Sequence, residues 1–231
     1  MALITPKINA SSITAGTVAN ARLSSSAIAG TGPYEFITEK IWTTNGEHDS
    51  DTYARIFFTN TFDKTKYSGY KLIIHWLGHE AQGDVMIRMQ TGTSNDVTGQ
   101  RNNGAYYGNI VYMDSANTSY HNSRHEASNQ GTLWQNAWPY DRGGLTGELN
   151  INMVAHSPTA SKADDHFRPY IWGTLVGYYV GAQYRRGDFQ SRYNESQNSN
   201  FYTGFHIFHS AATSVSQGSH LSLYGIRWST T

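Results

Sequence analysis

The chain has 231 residues and not one cysteine. That excludes disulfide staples and thiolate metal centres, and it makes the fold indifferent to redox compartment. Charge is scarce as well: 15% of the residues are Asp, Glu, Lys or Arg, and 17 basic side chains balance 17 acidic ones. A nucleic-acid ligand needs a basic face to displace counterions from phosphate, and a short pair such as Arg185-Arg186 does not supply one. No apolar run approaches the ~18 residues of a membrane-spanning helix, so membrane insertion is not expected. The first residues carry neither the basic nor the apolar stretch of a secretory leader. No window longer than a turn or two shows a helical apolar stripe. No Gly-x-Ser-x-Gly elbow or phosphate-binding loop is present either. What the chain has in quantity is aromatic residues, 13% of the total with 16 Tyr, and 22 Gly. That balance fits a β-rich body with many turns and adhesive surfaces.

The first thirty-odd residues differ from the rest. In Ile8–Gly32, 17 of 25 residues are Ala, Gly, Ser or Thr. The sizeable apolar side chains Ile8, Ile13, Val18, Leu23 and Ile28 recur every five residues, which is neither a strand period nor a helix period. A lone chain of this kind buries too little apolar surface to offset the entropy of ordering it. It is either a disordered tail or a segment ordered only against copies of itself or a partner, and the regular spacing favours the second. Gly30-Thr31-Gly32-Pro33 punctuates its end. The reading is therefore an extended N-terminal attachment or trimerisation arm over residues 1–33, followed by one domain over 34–231.

From residue 34 onward the chain reads as strands separated by polar turns. Tyr34–Trp42 is either a first strand or a hinge. Ala54–Phe62 and Tyr70–Leu77 are β-rich. Asp84–Gln90, Ala105–Met113 and Gly147–His156 alternate apolar and polar residues as half-buried strands do. Pro169–Val180 is continuously apolar, as expected of a strand covered on both faces. Tyr202–His209 and Ser219–Trp228 complete a set of about eight. Four stretches read as long loops: Thr91–Gly104, Asp114–Asn129, Ser157–Arg168 and Gly181–Asn200. The expected fold is all-β, an antiparallel β-sandwich of jelly-roll type, with other Greek-key wirings as the alternative.

Several segments resemble a known group. The closing stretch Ser219–Trp228, with Leu223, Tyr224, Gly225, Ile226 and Arg227, is similar to the last strand of small structural domains on tailed-bacteriophage virions. Phe62-Asp63 with Tyr70–Ile74, and Leu145–Leu149, resemble other segments of the same group. The arm resembles the Ile-rich, Gly-Thr-containing segments that precede phage fibre knobs. The resemblance implies a structural, homotrimeric component on the surface of the phage particle: a fibre, a head or tail appendage, or a capsid decoration protein. Its partners would be its own copies and capsid, portal-vertex or tail proteins. It carries no catalytic residues and no cofactor.

Residue chemistry adds candidates. Trp134, Trp138, Tyr140, Tyr184 and Tyr193 lie in or beside amide- and hydroxyl-rich segments, a composition suited to contact with host glycan or a protein partner. A core role is the alternative for each. Among ten histidines, His75 and His79 are too far apart along a strand to be co-ligands, and His206 and His209 point to opposite faces. His121, His125 and Glu126 fall in a polar loop, and metal binding is not expected there. Asp49, Asp51, Asp164 and Asp165 raise the question of paired carboxylates for polysaccharide cleavage. Solvated turn residues are the plainer reading. The expectation is a non-enzymatic virion protein, with a glycan-binding tip as the alternative and a polysaccharide-degrading enzyme behind both.

Overall fold

The computed structural model describes residues 33–44, 54–90, 106–114, 120–128, 130–137, 143–152, 169–179, 183–193, 202–211 and 214–228. For residues 114, 120–128, 136, 179, 183 and 193 it describes the backbone alone. Ile8, Ile13, Val18, Leu23 and Ile28 of the arm lie outside the described residues, as do Trp138 and Tyr140.

Alternation of apolar and polar residues builds the strands. In β4 (Gly83–Gln90), Val85, Ile87 and Met89 are fully buried on one side of the ribbon. In β8 (Leu145–Asn152), Leu145, Leu149 and Ile151 face inward, whereas Glu148 and Asn152 are exposed. The remaining strands are β1 (Tyr34–Ile41), β2 (Arg55–Phe58), β3 (Tyr67–Leu77), β5 (Tyr106–Asp114), β6 (Tyr120–Ser128), β7 (Gly131–Ala137), β9 (Tyr170–Tyr179), β10 (Gln183–Tyr193), β11 (Gly204–His209) and β12 (His220–Arg227). All paired neighbours are antiparallel.

Their wiring is nested. β1 pairs with β12, β2 with β11, β3 with β8 and β4 with β7, so the chain runs as one long hairpin folded over on itself. This gives a jelly-roll-like sandwich with sheets β1-β12-β3-β8 and β2-β11-β4-β7. Two further hairpins are inserted, β5–β6 between β4 and β7, and β9–β10 between β8 and β11. Both add to the free edge of β8, giving an eight-stranded sheet of order β1-β12-β3-β8-β9-β10-β5-β6 against the four-stranded one.

The core lies between the sheets. Leu72, Ile74, Leu149, Ile171 and Leu223 of the large sheet meet Ile56, Phe58, Ile87, Phe205 and Ile207 of the small one. Each such side chain contributes about 1.5–3 kcal/mol on burial. Tyrosine hydroxyls close the places where a strand edge lacks a ladder partner. Tyr106 accepts from the Met89 amide at 2.7 Å, and Tyr112 accepts from the Gln135 amide at 2.7 Å. Tyr70 Oη likewise accepts from the amide of Asp63, in the connection between β2 and β3, at 2.6 Å, and burial raises its hydroxyl pKa above the ordinary tyrosine value.

Three expectations are corrected. The strand set is larger than eight, because Asp114–Asn129 contains β6, Gly181–Asn200 contains β10, and β7 lies between. Tyr34–Trp42 is a strand rather than a hinge, held by the β12 ladder. The stretch Pro169–Val180 is not covered on both faces: Trp172 of β9 is 37% exposed.

Candidate ligand-binding face of the large sheet

The two sandwich faces that look away from the core differ in exposure. The seven exposed large hydrophobic side chains among the described residues all lie on the large sheet: Tyr34, Phe36, Ile41, Tyr107, Met113, Trp172 and Tyr184. The inserted hairpins widen this face, and a groove of ≈ 630 Å³ runs over β5, β8, β9 and β10. That volume falls within the range of about 300–1,000 Å³ usual for small-molecule sites.

Ladder register assembles the groove from distant parts of the sequence. One row across the strands reads Lys71, Asn150, Trp172, Gln190, Asn109. The next reads Ile73, Glu148, Thr174, Asp188, Val111. Tyr170 follows on β9, opposite Asn152 and Arg192. Since neighbouring strands lie about 4.8 Å apart, the four side chains from Asn150 to Asn109 span about 14 Å. Between Trp172 and Thr174 sits Gly173, where a Cβ would come within 2.0 Å of the Glu148 carbonyl oxygen. Only glycine lets β9 approach β8 this closely under the groove floor.

The polar groups are oriented by one another. Tyr170 Oη donates to Gln190 Oε1 at 2.6 Å, which fixes that amide with its N–H groups directed elsewhere. Thr174 Oγ1 donates to Asp188 Oδ1 at 2.6 Å, and Arg186 reaches the same carboxylate oxygen at 3.4 Å. Lys71 Nζ lies 2.7 Å from Glu148 Oε2 and 5.7 Å from the Tyr34 ring centroid. The Tyr170 and Trp172 rings lie 5.3 Å apart at an angle of 30°, giving a two-ring aromatic shelf. The arrangement offers flat apolar area, three side-chain amides of which Gln190 is fixed by Tyr170, and two carboxylate acceptors within one open surface.

The residues singled out by sequence fare differently. Trp134 is a core side chain rather than a contact surface: it is 0% exposed, packs edge-on against Tyr112 at 5.1 Å, and donates from Nε1 to the Tyr178 carbonyl at 3.3 Å. Its amide-rich neighbourhood in sequence hid this, because Leu133 and Trp134 are both fully buried where the β4–β7 register shifts. Tyr184 is 46% exposed on the same outer face and stacks edge-on with Tyr178 at 5.4 Å. Six residues along β10 separate it from Gln190, roughly 20 Å at about 3.3 Å per residue, so it shares the face but not the groove. Tyr193 ends β10. Trp172 and its polar neighbours were missed in sequence. The findable signal was the i, i+2 pair Tyr170 and Trp172 with Thr174 following, which is strand alternation inside an otherwise apolar run.

The histidines separate as expected of their spacing. His75 stacks on His220 at 4.2 Å and bonds Ser222 at 3.1 Å. His79 stacks on His209 at 4.4 Å, and His206 lies against Phe57 at 5.1 Å. Burial holds His79 and His206 well below the ordinary histidine pKa, the first reinforced by His209 and the second by Arg55 and Arg88. Burial lowers His209 to about 4. His121, His125 and Glu126 lie on strand β6 rather than in a loop. Asp49, Asp51, Asp164 and Asp165 lie outside the described residues. Among the described residues, no group of three or more His, Asp or Glu is arranged to hold a metal ion.

Set against known protein families, curated proteins and solved structures, the chain matches none of them.

Proposed function

We propose that this protein is a non-enzymatic recognition module on the surface of a tailed-phage particle, and that its large-sheet groove binds carbohydrate. The observation that carries the carbohydrate reading is the pairing of the Tyr170–Trp172 shelf with Asn109, Asn150, Gln190, Thr174, Glu148 and Asp188 in one groove. A pyranose has one flat C–H face and a rim of hydroxyls, and it matches an aromatic plane edged by amide donors and carboxylate acceptors. Placement on a virion rests on the resemblance of the arm and of Leu223–Arg227 to phage structural proteins. On this reading the arm, through Ile8, Ile13, Val18, Leu23 and Ile28, trimerises the chain or docks it on a capsid, portal-vertex or tail protein. The body is then displayed outward.

Binding is favoured over cleavage by the state of the carboxylates. A glycosidase acid is held protonated by a desolvated pocket. Glu148 and Asp188 have side chains 48% and 49% exposed, and each is ion-paired, to Lys71 and Arg186 respectively. Exposed, paired carboxylates suit hydrogen-bond acceptance.

The test is adsorption of the full chain to cells of a phage host and to a broad glycan array. Saturable binding, lost in Trp172→Ala, is the expected result; no binding to any glycan would leave a purely structural decoration protein. Sedimentation of the intact chain addresses the trimer, and a monomer at high concentration would remove it.

A further inference from the structure

We infer that the groove selects uncharged, hydroxyl-rich pyranosides and rejects acidic glycans such as uronates and sialosides. This rests on the groove being a glycan site. The two charged residues lining it are both acidic, Glu148 and Asp188. Each stands on a strand flanking β9, and the register places both opposite Thr174. A ligand seated on Trp172 therefore has a carboxylate on either side of the row beside it.

Three cations stand near the groove but outside its lining: Lys71 and Arg186, each held by one of the two carboxylates, and Arg192, exposed opposite Tyr170 and four residues along β10 from Asp188. Lys71 reaches Glu148 from β3, outside the lining, and its ammonium sits between that carboxylate and the Tyr34 ring. Arg186 stands two residues along β10 from Asp188 and approaches the same oxygen that accepts from Thr174. Lys71 and Arg186 are thus engaged at the rim. An incoming uronate or sialate carboxylate would meet like charge where a neutral sugar would donate hydroxyls. Charge-assisted hydrogen bonds of that kind are roughly twice as strong as neutral ones. Selectivity follows from the same two groups, through attraction of hydroxyls and repulsion of anions.

Supporting contacts are complementary. Thr174 gives its hydrogen to Asp188 and keeps its oxygen as an acceptor, whereas Gln190 is held by Tyr170 through its oxygen and keeps its N–H groups as donors. The ~14 Å row gives room for more than one ring, so an oligosaccharide is the expected ligand rather than a monosaccharide.

The test compares the full chain, Trp172→Ala, and the double variant Glu148→Gln/Asp188→Asn on an array spanning neutral and acidic glycans. Thermal melting confirms that each variant is folded. The wild type is expected to retain neutral glycans alone. Trp172→Ala should weaken retention about tenfold or more, equivalent to ~1.4 kcal/mol. The double variant should lose a similar factor for neutral glycans and narrow the gap to acidic ones. Acidic glycans bound by the wild type and released by Trp172→Ala would overturn the selectivity while leaving the groove as a glycan site. No retention of any glycan, or retention indifferent to Trp172→Ala, would overturn both. Unchanged neutral binding in the double variant would remove the carboxylates from recognition and overturn the inference alone.

Discussion

Trp172 on the outer face of the large sheet is 37% exposed; Phe208, on the outer face of the small sheet, is 3% exposed. The two faces draw on similar chemistry, aromatics beside charged and amide side chains, in opposite environments. On the small sheet Arg55 Nη1 donates to His206 Nε2 at 3.1 Å, Arg88 Nη2 donates to Gln130 Oε1 at 2.9 Å, and both guanidiniums lie over the Phe208 ring at 5.2 and 4.7 Å. Buried polar groups must be matched internally, because an unmade bond there costs roughly 1–3 kcal/mol. Those bonds engage both guanidiniums and His206 Nε2, while the buried His206 Nδ1 has no hydrogen-bond partner among the described residues. On the large sheet the amides and carboxylates are solvated, so part of their bonding capacity goes to water and is exchangeable for ligand. Burial, more than residue type, separates the closed outer face of the small sheet from the solvated outer face of the large one.

The largest effect that probes this contrast is Phe208→Ala. Removing a buried ring sandwiched under two guanidiniums should cost about 3–5 kcal/mol. Chemical denaturation would register it as a drop in midpoint at unchanged slope. The matched change on the exposed face, Trp172→Ala, should cost about 1 kcal/mol or less in stability while weakening glycan retention about tenfold or more. Equal costs at the two sites would break the contrast.

Next in size is a pH effect confined to the buried side. His79, His206 and His209 all have native pKa values below the 6.5 of an unfolded histidine, His209 at about 4. A group with a depressed native pKa binds its proton more readily when unfolded, so acid favours unfolding. Stability contributed by the neutral rings is therefore intact above pH 6.5 and declines as pH falls from there toward 4, by up to about 1.4 kcal/mol per unit per group. Melting temperature measured at pH 7 and pH 4.5 should fall. Replacing the stacked pair, His79→Phe with His209→Phe, should flatten the profile if both rings remain packed. The Arg55–Arg88 side keeps its own share of the slope through His206. A flat profile in the wild type would sink the account.

How much of this could be read from the residues depends on what each strand hides. β4, β8, β11 and β12 announce themselves through alternating large apolar side chains. β10 alternates as strictly, with Arg185, Gly187, Phe189 and Ser191 buried and Tyr184, Arg186, Asp188, Gln190 and Arg192 exposed. Only Phe189 of the buried set is large and apolar, so the pattern reads as a loop. β9 misleads in the other direction. Its inward positions include Gly173 and Gly177, whose neighbours fill the space, while Trp172, Val176 and Tyr178 on the outward side make the run look wholly apolar. The groove was illegible for a further reason. Its side chains come from residues near 109, 148–150, 170–174 and 188–190, and only the strand register brings those four segments side by side. Periodicity fixes which face a residue occupies and leaves the neighbour across the ladder undetermined.

The smallest predicted effect sets a polar contact on the exposed face against one on the buried face. Lys71 and Glu148 are 2.7 Å apart, with side chains 21% and 48% exposed. A pair at this depth gains little, because water screens the attraction and two long side chains lose rotamer freedom to hold it. Lys71→Met should therefore change stability by only about 0.2–1 kcal/mol, and the difference should shrink further in ~1 M salt, where the screening length is about 3 Å. Removing the buried donor, Arg55→Met, should cost more than Lys71→Met and stay nearly constant with salt, because it withdraws a hydrogen bond from His206 in a site water does not screen. Denaturation of both variants at low and high salt gives the comparison directly. If Lys71→Met proves as costly and as salt-insensitive as Arg55→Met, the large-sheet face is not solvated in solution. The groove would then have to be covered by another molecule, and its assignment to sugar would fall with that result.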